Sequence, residues 1–251
     1  MTPPPRILAI AGSDSSGGAG IQADIKTITM LGGYAMTAIT AVTAQNTLGV
    51  TAIEALSPNM VAAQIDACIG DIGVDAIKIG MLGSHAIGGV VADRLEGLSV
   101  PIVFDPVMVA TSGSVLADVQ TVAAFERLMN LATLTTPNIA ELAALGGDAT
   151  LSARGVTFLA KGGDAESEVL EDRLFVPGSE PRVWEAARLD TPHTHGTGCT
   201  LSSAIATYLG MGFDLPEAIG KARQFVRAAL EAAPGFGSGH GPMGHHAVRE
   251  N

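Results

Sequence analysis

The chain has 251 residues, with 14 Lys and Arg against 25 Asp and Glu, a formal net charge of −11. That balance argues against nucleic-acid backbones and anionic membranes as partners, though a local nest of donors can still hold an anionic substrate. With 47% hydrophobic but only 4% aromatic residues, and a mean hydropathy of +0.35, a sizeable core has to be built from Ala, Val, Ile and Leu.

Short apolar runs alternate with helical patterns along the chain. Ile7–Ala11 reads as a buried strand, followed by the glycine-rich loop Gly12–Gly20. A helix then carries Ile21, Ile25, Ile28 and Leu31 inward at helical spacing. Tyr34–Thr43 is strand-like and ends at Ala44, Gln45 and Asn46; Val50–Leu56 is a shorter strand. Ser57-Pro58 starts a helix to about Ile69, in which Cys68 belongs to the core pattern of Val61, Ile65 and Ile69. Ala76–Ile79 is a strand, and Gly80–Ser84 leads into another helix. Pro101–Phe104 is a strand ending in Asp105-Pro106, and Gln120–Leu131 is helical. A strand ends at Leu134–Asn138, a short helix covers Ile139–Leu145, and the strand Val156–Ala160 meets Lys161-Gly162-Gly163-Asp164. Val169–Val176 and Arg182–Leu189 suggest a hairpin. Two C-terminal helices follow, with Asp214 and Glu217 as a capping pair for the last, and Gly235–Gly244 reads as a loop.

This alternation predicts a single α/β domain over 1–251, a mostly parallel central sheet with helices on both faces. No window reaches the length of a membrane span. The start Met1–Arg6 lacks a signal-peptide pattern, and the cysteines Cys68 and Cys199 allow at most one bridge, so a cytoplasmic setting is expected. Polar residues collect just after strands: Asp14, Gln45, Asp105, Asn138 and Lys161. Ligands of open α/β sheets bind at those carboxyl ends.

The segment His195-Gly196-Thr197-Gly198-Cys199-Thr200 opens an apolar helix. Two glycines allow a tight turn with outward N–H groups, and the helix dipole adds positive partial charge, so the turn predicts an anion site. Cysteines at such helix starts have thiol pKa values of roughly 3.5–7.5, which predicts a stabilised Cys199 thiolate. His195 abuts the turn and either braces it or touches a ligand, whereas His245-His246 is expected to be solvated rather than a metal site. No Gly-x-Gly-x-x-Gly occurs in Gly12–Gly20, and neither a P-loop nor a Gly-x-Ser-x-Gly elbow occurs anywhere.

Seven stretches in fixed order carry a resemblance: Ile10–Asp24, Thr40–Thr47, Lys78–Leu82, Asp105–Met108, Thr135–Glu141, Lys161–Gly163 and Thr194–Thr200. In these the chain resembles the hydroxymethylpyrimidine/phosphomethylpyrimidine kinases of thiamin synthesis, within the ribokinase-like superfamily. The resemblance implies ATP and Mg²⁺, a small pyrimidine substrate, and a homodimer. By the same resemblance Gly12, Asp24, Gln45 and Met81 enclose the pyrimidine, with Val107 on its other side. Asp105 and Glu141 organise Mg²⁺, and Asn138, Lys161 and Thr197 serve the nucleotide phosphates. Gly196, Thr197 and Gly198 form the anion hole, and Cys199 and Lys161 act in catalysis, Cys199 as the base. The stretch from Leu142 to Ala160 looks shorter than in the family, on the expected nucleotide side. The alternatives are a pyridoxal or pyridoxine kinase of the same fold, and a non-catalytic pyrimidine-binding protein.

Overall fold

A computed structural model describes residues 3–109, 116, 119–163 and 167–248, which leaves Asp164 of the expected Lys161 turn outside it. In chain order the elements are β1 (Arg6–Asp14), α1 (Gly20–Met30), β2 (Tyr34–Asn46), β3 (Gly49–Ala55) and α2 (Pro58–Ala67), which runs into a π-helical turn Cys68–Ile72. Then come β4 (Ala76–Ile79), α3 (His85–Leu95), β5 (Ile102–Phe104), α4 (Val119–Leu131), β6 (Leu134–Thr135), α5 (Ile139–Ala144), α6 (Gly147–Ala153) and β7 (Phe158–Ala160). The chain ends with β8 (Val169–Phe175), β9 (Arg182–Ala187), α7 (Thr197–Gly210), α8 (Leu215–Glu231) and a 3₁₀ turn His245–Ala247.

Among the described residues nine strands form one sheet in the order β3-β2-β1-β4-β5-β6-β7-β8-β9. The run from β2 to β7 is parallel, and β3, β8 and β9 are antiparallel additions at the two edges. The period-2 alternation of strand side chains divides the core in two. Leu8, Ile10, Ile77, Ile79 and Phe104 pack with Val61, Val91 and Phe125 of α2, α3 and α4 on one face. Ile7, Ala9, Ala76 and Val103 pack with Ile28, Ile205 and Phe225 of α1, α7 and α8 on the other. The expected α/β sheet with helices on both faces is thus the observed one, and the hairpin is β8–β9.

Several expectations need correction. β1 does not stop at Ala11: it continues through Asp14, because Ser13 and Asp14 pair with Val42 and Thr43 of β2. Ile25 does not point inward, being 38% exposed, and Asp24 takes the buried place instead. Helix α6 was not expected. Its Leu151 is buried in the core, and Gly146 supplies the left-handed backbone (φ 98) from which it starts. His245 is not solvated: it is buried, its Nε2 lies 2.8 Å from Thr200 Oγ1, and burial pushes its pKa down to about 4. Asp214 caps α8 as expected, its Oδ1 accepting from Glu217 N–H at 2.8 Å.

Candidate active site

The order of strands reverses direction at β1, which has β2 on one side and β4 on the other. A crevice outside the strand ends is the usual consequence of such a reversal. Asp14 ends β1, Gln45 is the last residue but one of β2, Met81 follows β4, Asp105 follows β5, Asn138 follows β6 and Lys161 follows β7.

The cationic centre is Lys161. Its Nζ is 2.7 Å from Asp105 Oδ1 and 4.0 Å from Glu141 Oε2. Its backbone N–H donates to Pro137 O, which fixes where the side chain starts. Burial would lower the pKa of Lys161, but Asp105 and Glu141 outweigh it and hold the ammonium above its ordinary value. Thr136 Oγ1 donates to Asp105 Oδ1 at 3.0 Å. Asn138 and Glu141 form the capping box of α5: Glu141 N–H donates to Asn138 Oδ1, and Asn138 N–H donates to Glu141 Oε2, both at 2.8 Å. Asn138 therefore has its amide oxygen engaged in the cap, and no hydrogen bond from its Nδ2 is present among the described residues. Burial pushes the Glu141 carboxyl up to about 7, with Lys161 pulling it down and Asp105 adding to the rise.

The turn before α7 faces this cluster. Gly196 has φ 84, and a Cβ there would collide with the Gly18 carbonyl oxygen, so the tight approach of the two glycine loops requires a residue without one. A Cβ at Gly198 would lie 3.2 Å from Lys161 Nζ and 3.3 Å from Asp105 Oδ2, so cation, carboxylate and helix start meet at one point. Thr197 N–H is already spent on Thr194 O at 3.3 Å. The open donors of the first turn are those of Gly198 and Cys199, which helix geometry leaves without intrahelical partners.

Cys199 departs from expectation. Burial pushes its thiol up to about 11; Lys78 and the Gly20 N–H oppose the rise, while Asp24 and Asp105 add to it. The helix-start effect on the thiolate is outweighed by loss of water, while the residue as a whole is half-buried.

On the β1–β2 side, Gly12 and Met81 touch, since a Cβ at Gly12 would overlap the Met81 Cε methyl. Gln45 Oε1 accepts from Thr43 Oγ1 at 3.0 Å, and its Nε2 lies 3.5 Å from His195 Nε2. His195 braces the loop: its Nε2 is 2.8 Å from Asp14 Oδ2. Burial would raise the Asp14 carboxyl, but the bond with His195 and those from Ser16 and Ala19 bring it down to about 2. Val107 is half-buried two residues after Asp105, its N–H donating to the Asp105 carbonyl. Asp24 does not line the crevice: it has no exposed surface and lies one layer beneath, against Lys78 and Ser203. Lys78, in the Lys78–Leu82 stretch, is a buried partner that sequence reasoning did not single out. A lysine inside a four-residue apolar strand was the available signal.

The set fits Mg²⁺. Among the described residues no cluster of three or more acidic, His or Cys side chains could cage an ion. Asp105 and Glu141 do provide hard oxygen atoms beside Lys161 and the Gly198 turn, and Mg²⁺ is usually held by one or two carboxylates together with substrate phosphates.

A parallel sheet with helices on both faces, a donor-lined helix start at its carboxyl ends and a lysine beside two carboxylates define a ribokinase-like phosphotransferase. The phosphomethylpyrimidine kinase family model matches residues 14–244, and the chain belongs to that family. The hydroxymethylpyrimidine/phosphomethylpyrimidine kinase of Rhizobium meliloti is 45% identical over 255 residues, covering 95% of this chain and 96% of the relative. Its counterpart in Streptomyces coelicolor is 42% identical, covering 96% and 94%. Among solved structures, the Bacillus subtilis pyridoxal kinase in complex with ADP matches with a TM-score of 0.87 at 34% identity, covering 97% of this chain and 98% of that one. The Clostridium difficile phosphomethylpyrimidine kinase matches with 0.76 at 36%, covering 90% and 99%. No helix among the described residues is long and apolar enough to cross a membrane.

Proposed function

We propose that the chain transfers the γ-phosphoryl of ATP to the hydroxymethyl group of 4-amino-5-hydroxymethyl-2-methylpyrimidine, and then phosphorylates the monophosphate to the diphosphate, for thiamin biosynthesis. The observation that carries this reading is the meeting of Lys161 and Asp105 with Gly198 at the start of α7. Phosphoryl transfer asks mostly for positioning and charge neutralisation. The Gly198 and Cys199 N–H groups receive the transferring phosphoryl, Lys161 offsets its charge, and Asn138 Nδ2 donates to the nucleotide phosphates. The substrate hydroxyl oxygen forms the new P–O bond while the bond to the ADP leaving oxygen breaks. The hydroxyl proton passes to Sγ of Cys199 in its thiolate form. Mg²⁺ held by Asp105 and Glu141 would neutralise the phosphate oxygens. The homodimer and the cytoplasmic setting belong to the same reading.

A coupled ATP-consumption assay with the hydroxymethylpyrimidine, its monophosphate and pyridoxal tests it. Both pyrimidines are expected to be turned over efficiently; turnover of pyridoxal alone would replace the reading by the pyridoxal kinase alternative.

Gln45 decides what the pocket reads. Its amide has one acceptor site used by Thr43, so one acceptor and at least one donor remain. An aminopyrimidine edge offers a ring nitrogen beside an amino group and can pair with both. Pyridoxal lacks that amino group. Gln45→Leu is therefore expected to weaken the hydroxymethylpyrimidine by about 5- to 150-fold, the cost of a buried unpaired polar group, with a smaller loss for pyridoxal. Equal losses in KM for both would make Gln45 a brace of the His195 loop.

Glu141 gives a pH signature. A carboxyl that ionises near 7 is largely protonated below that pH and then cannot hold a cation. The Mg²⁺ concentration for half-activity is expected to climb as pH falls below 7, and Glu141→Gln is expected to need high Mg²⁺ at every pH. A flat Mg²⁺ requirement from pH 6 to 8 in the parent protein would remove Glu141 from the metal role.

A further inference from the structure

Among the largest wholly buried side chains of the described residues, otherwise Phe, Ile and Leu, stands one lysine, Lys78. Its Nζ donates to both carboxylate oxygens of Asp24 at 2.9 Å, and neither side chain has exposed surface. Ser203 Oγ donates to Asp24 Oδ1 at 2.6 Å. Apolar residues of similar volume often replace such a pair at no cost in stability, so packing does not account for it.

Its position does. Cys199 and Ser203 are one turn apart on α7, and Gly20 and Asp24 are one turn apart on α1. The two helices are joined by two rungs. In the upper one the Gly20 N–H favours the Cys199 thiolate; in the lower one Ser203 donates to Asp24. Residues one turn apart stand about 5–6 Å from each other, so the carboxylate that clamps Lys78 is tied to α7 one turn past Cys199. The strand alternation of β4 sends Lys78 to this face, and Gly80 leaves it room: a Cβ there would lie 2.7 Å from Nζ.

We propose that Lys78 is a positioning residue for the reaction: clamped by Asp24, its ammonium is the fixed counter-charge under Cys199 that favours the thiolate and holds the sulfur over the anion hole. The proposal rests on Cys199 being the base. The charged groups around the thiol are Lys78 from β4, Asp24 from α1, Asp105 after β5 and Lys161 after β7. Lys78 opposes the effect of burial on the thiol more than any other of these groups. Burial would discharge Lys78, yet Asp24, Cys199 and Asp105 keep its pKa above the ordinary value. On Asp24, burial pushes towards the neutral acid, while Lys78 and Ser203 pull towards the carboxylate.

The test uses a Cys68→Ser background, which leaves Cys199 as the one thiol of the chain. Iodoacetamide alkylation is followed by mass against pH, and kcat/KM for the hydroxymethylpyrimidine is measured over the same range. In Lys78→Met/Asp24→Asn, which removes the pair without stranding a charge, alkylation at pH 8 is expected to slow about tenfold, the equivalent of one pKa unit. Its kcat/KM is expected to fall similarly, with the pH–rate rise moved to higher pH. The same double substitution is expected to cost less than about twofold in a Cys199→Ala protein, because coupled residues are not additive. Lys78→Met alone also removes the counter-charge, and burial then favours Asp24 as the neutral acid, so slower alkylation is again expected; this second variant serves where the double one does not fold. Parent-like alkylation in a folded variant overturns the proposal, as does an equal loss of kcat/KM with and without Cys199. Slower alkylation with an unmoved pH–rate profile would instead leave Lys78 acting on the thiol and overturn Cys199 as the base.

Discussion

Replacing Cys199 by alanine is expected to lower kcat by about 10²–10⁴-fold while leaving ATP binding nearly intact. The side chain contributes to proton acceptance only, whereas the donors of the anion hole belong to the backbone of α7. Since burial holds the thiol near 11, the thiolate fraction in the ligand-free site grows about tenfold for each pH unit across the neutral range. The parent kcat/KM is accordingly expected to keep rising above pH 8. A carboxylate in the same place ionises at lower pH, so Cys199→Asp is expected to retain part of the activity and to bring the rise to lower pH. Near-normal turnover by a folded Cys199→Ala protein, measured by ADP release at saturating substrate, would remove Cys199 from the chemistry.

Lys161→Ala is expected to cost about 10²–10³-fold in kcat, comparable with removing a preorganised donor from an oxyanion hole. The ammonium is held 2.7 Å from Asp105 and faces the Gly198 turn, so it is already aimed where charge spreads in the transition state. Its loss has a second consequence. Lys161 is the charge that pulls the raised Glu141 carboxyl down, so without it Glu141 stays protonated to higher pH. The variant is therefore expected to need more Mg²⁺ at pH 7 and to recover part of that deficit at pH 8.5. Loss of ATP affinity with unchanged kcat, read from nucleotide titration and saturation kinetics, would make Lys161 a ground-state binding residue instead.

Much of the arrangement was legible before folding was considered. The apolar run before Asp105 announces a strand end, and the Asp214–Glu217 pair announces the capped start of α8, because local periodicity and hydrogen bonding dictate them. The roles inside the site were less legible. Resemblance alone assigned Glu141 to the metal; its place in a short helix does not show that α5 stands against Lys161 and Asp105 and buries it. Asp24 was expected to face the ring, but the partner that draws it inward, Lys78, is 54 residues away.

The order of β/α units, the glycine turn at Gly196 and the set of polar strand-end residues were determined by the sequence, since periodicity, turn chemistry and helix capping act over a few residues. The protonation of Cys199 was decided by the tertiary structure. A helix start favours a thiolate locally, but the desolvation imposed by α1, β4 and the Asp105 turn outweighs it, and which charges offset that desolvation depends on contacts that only the folded sheet brings about.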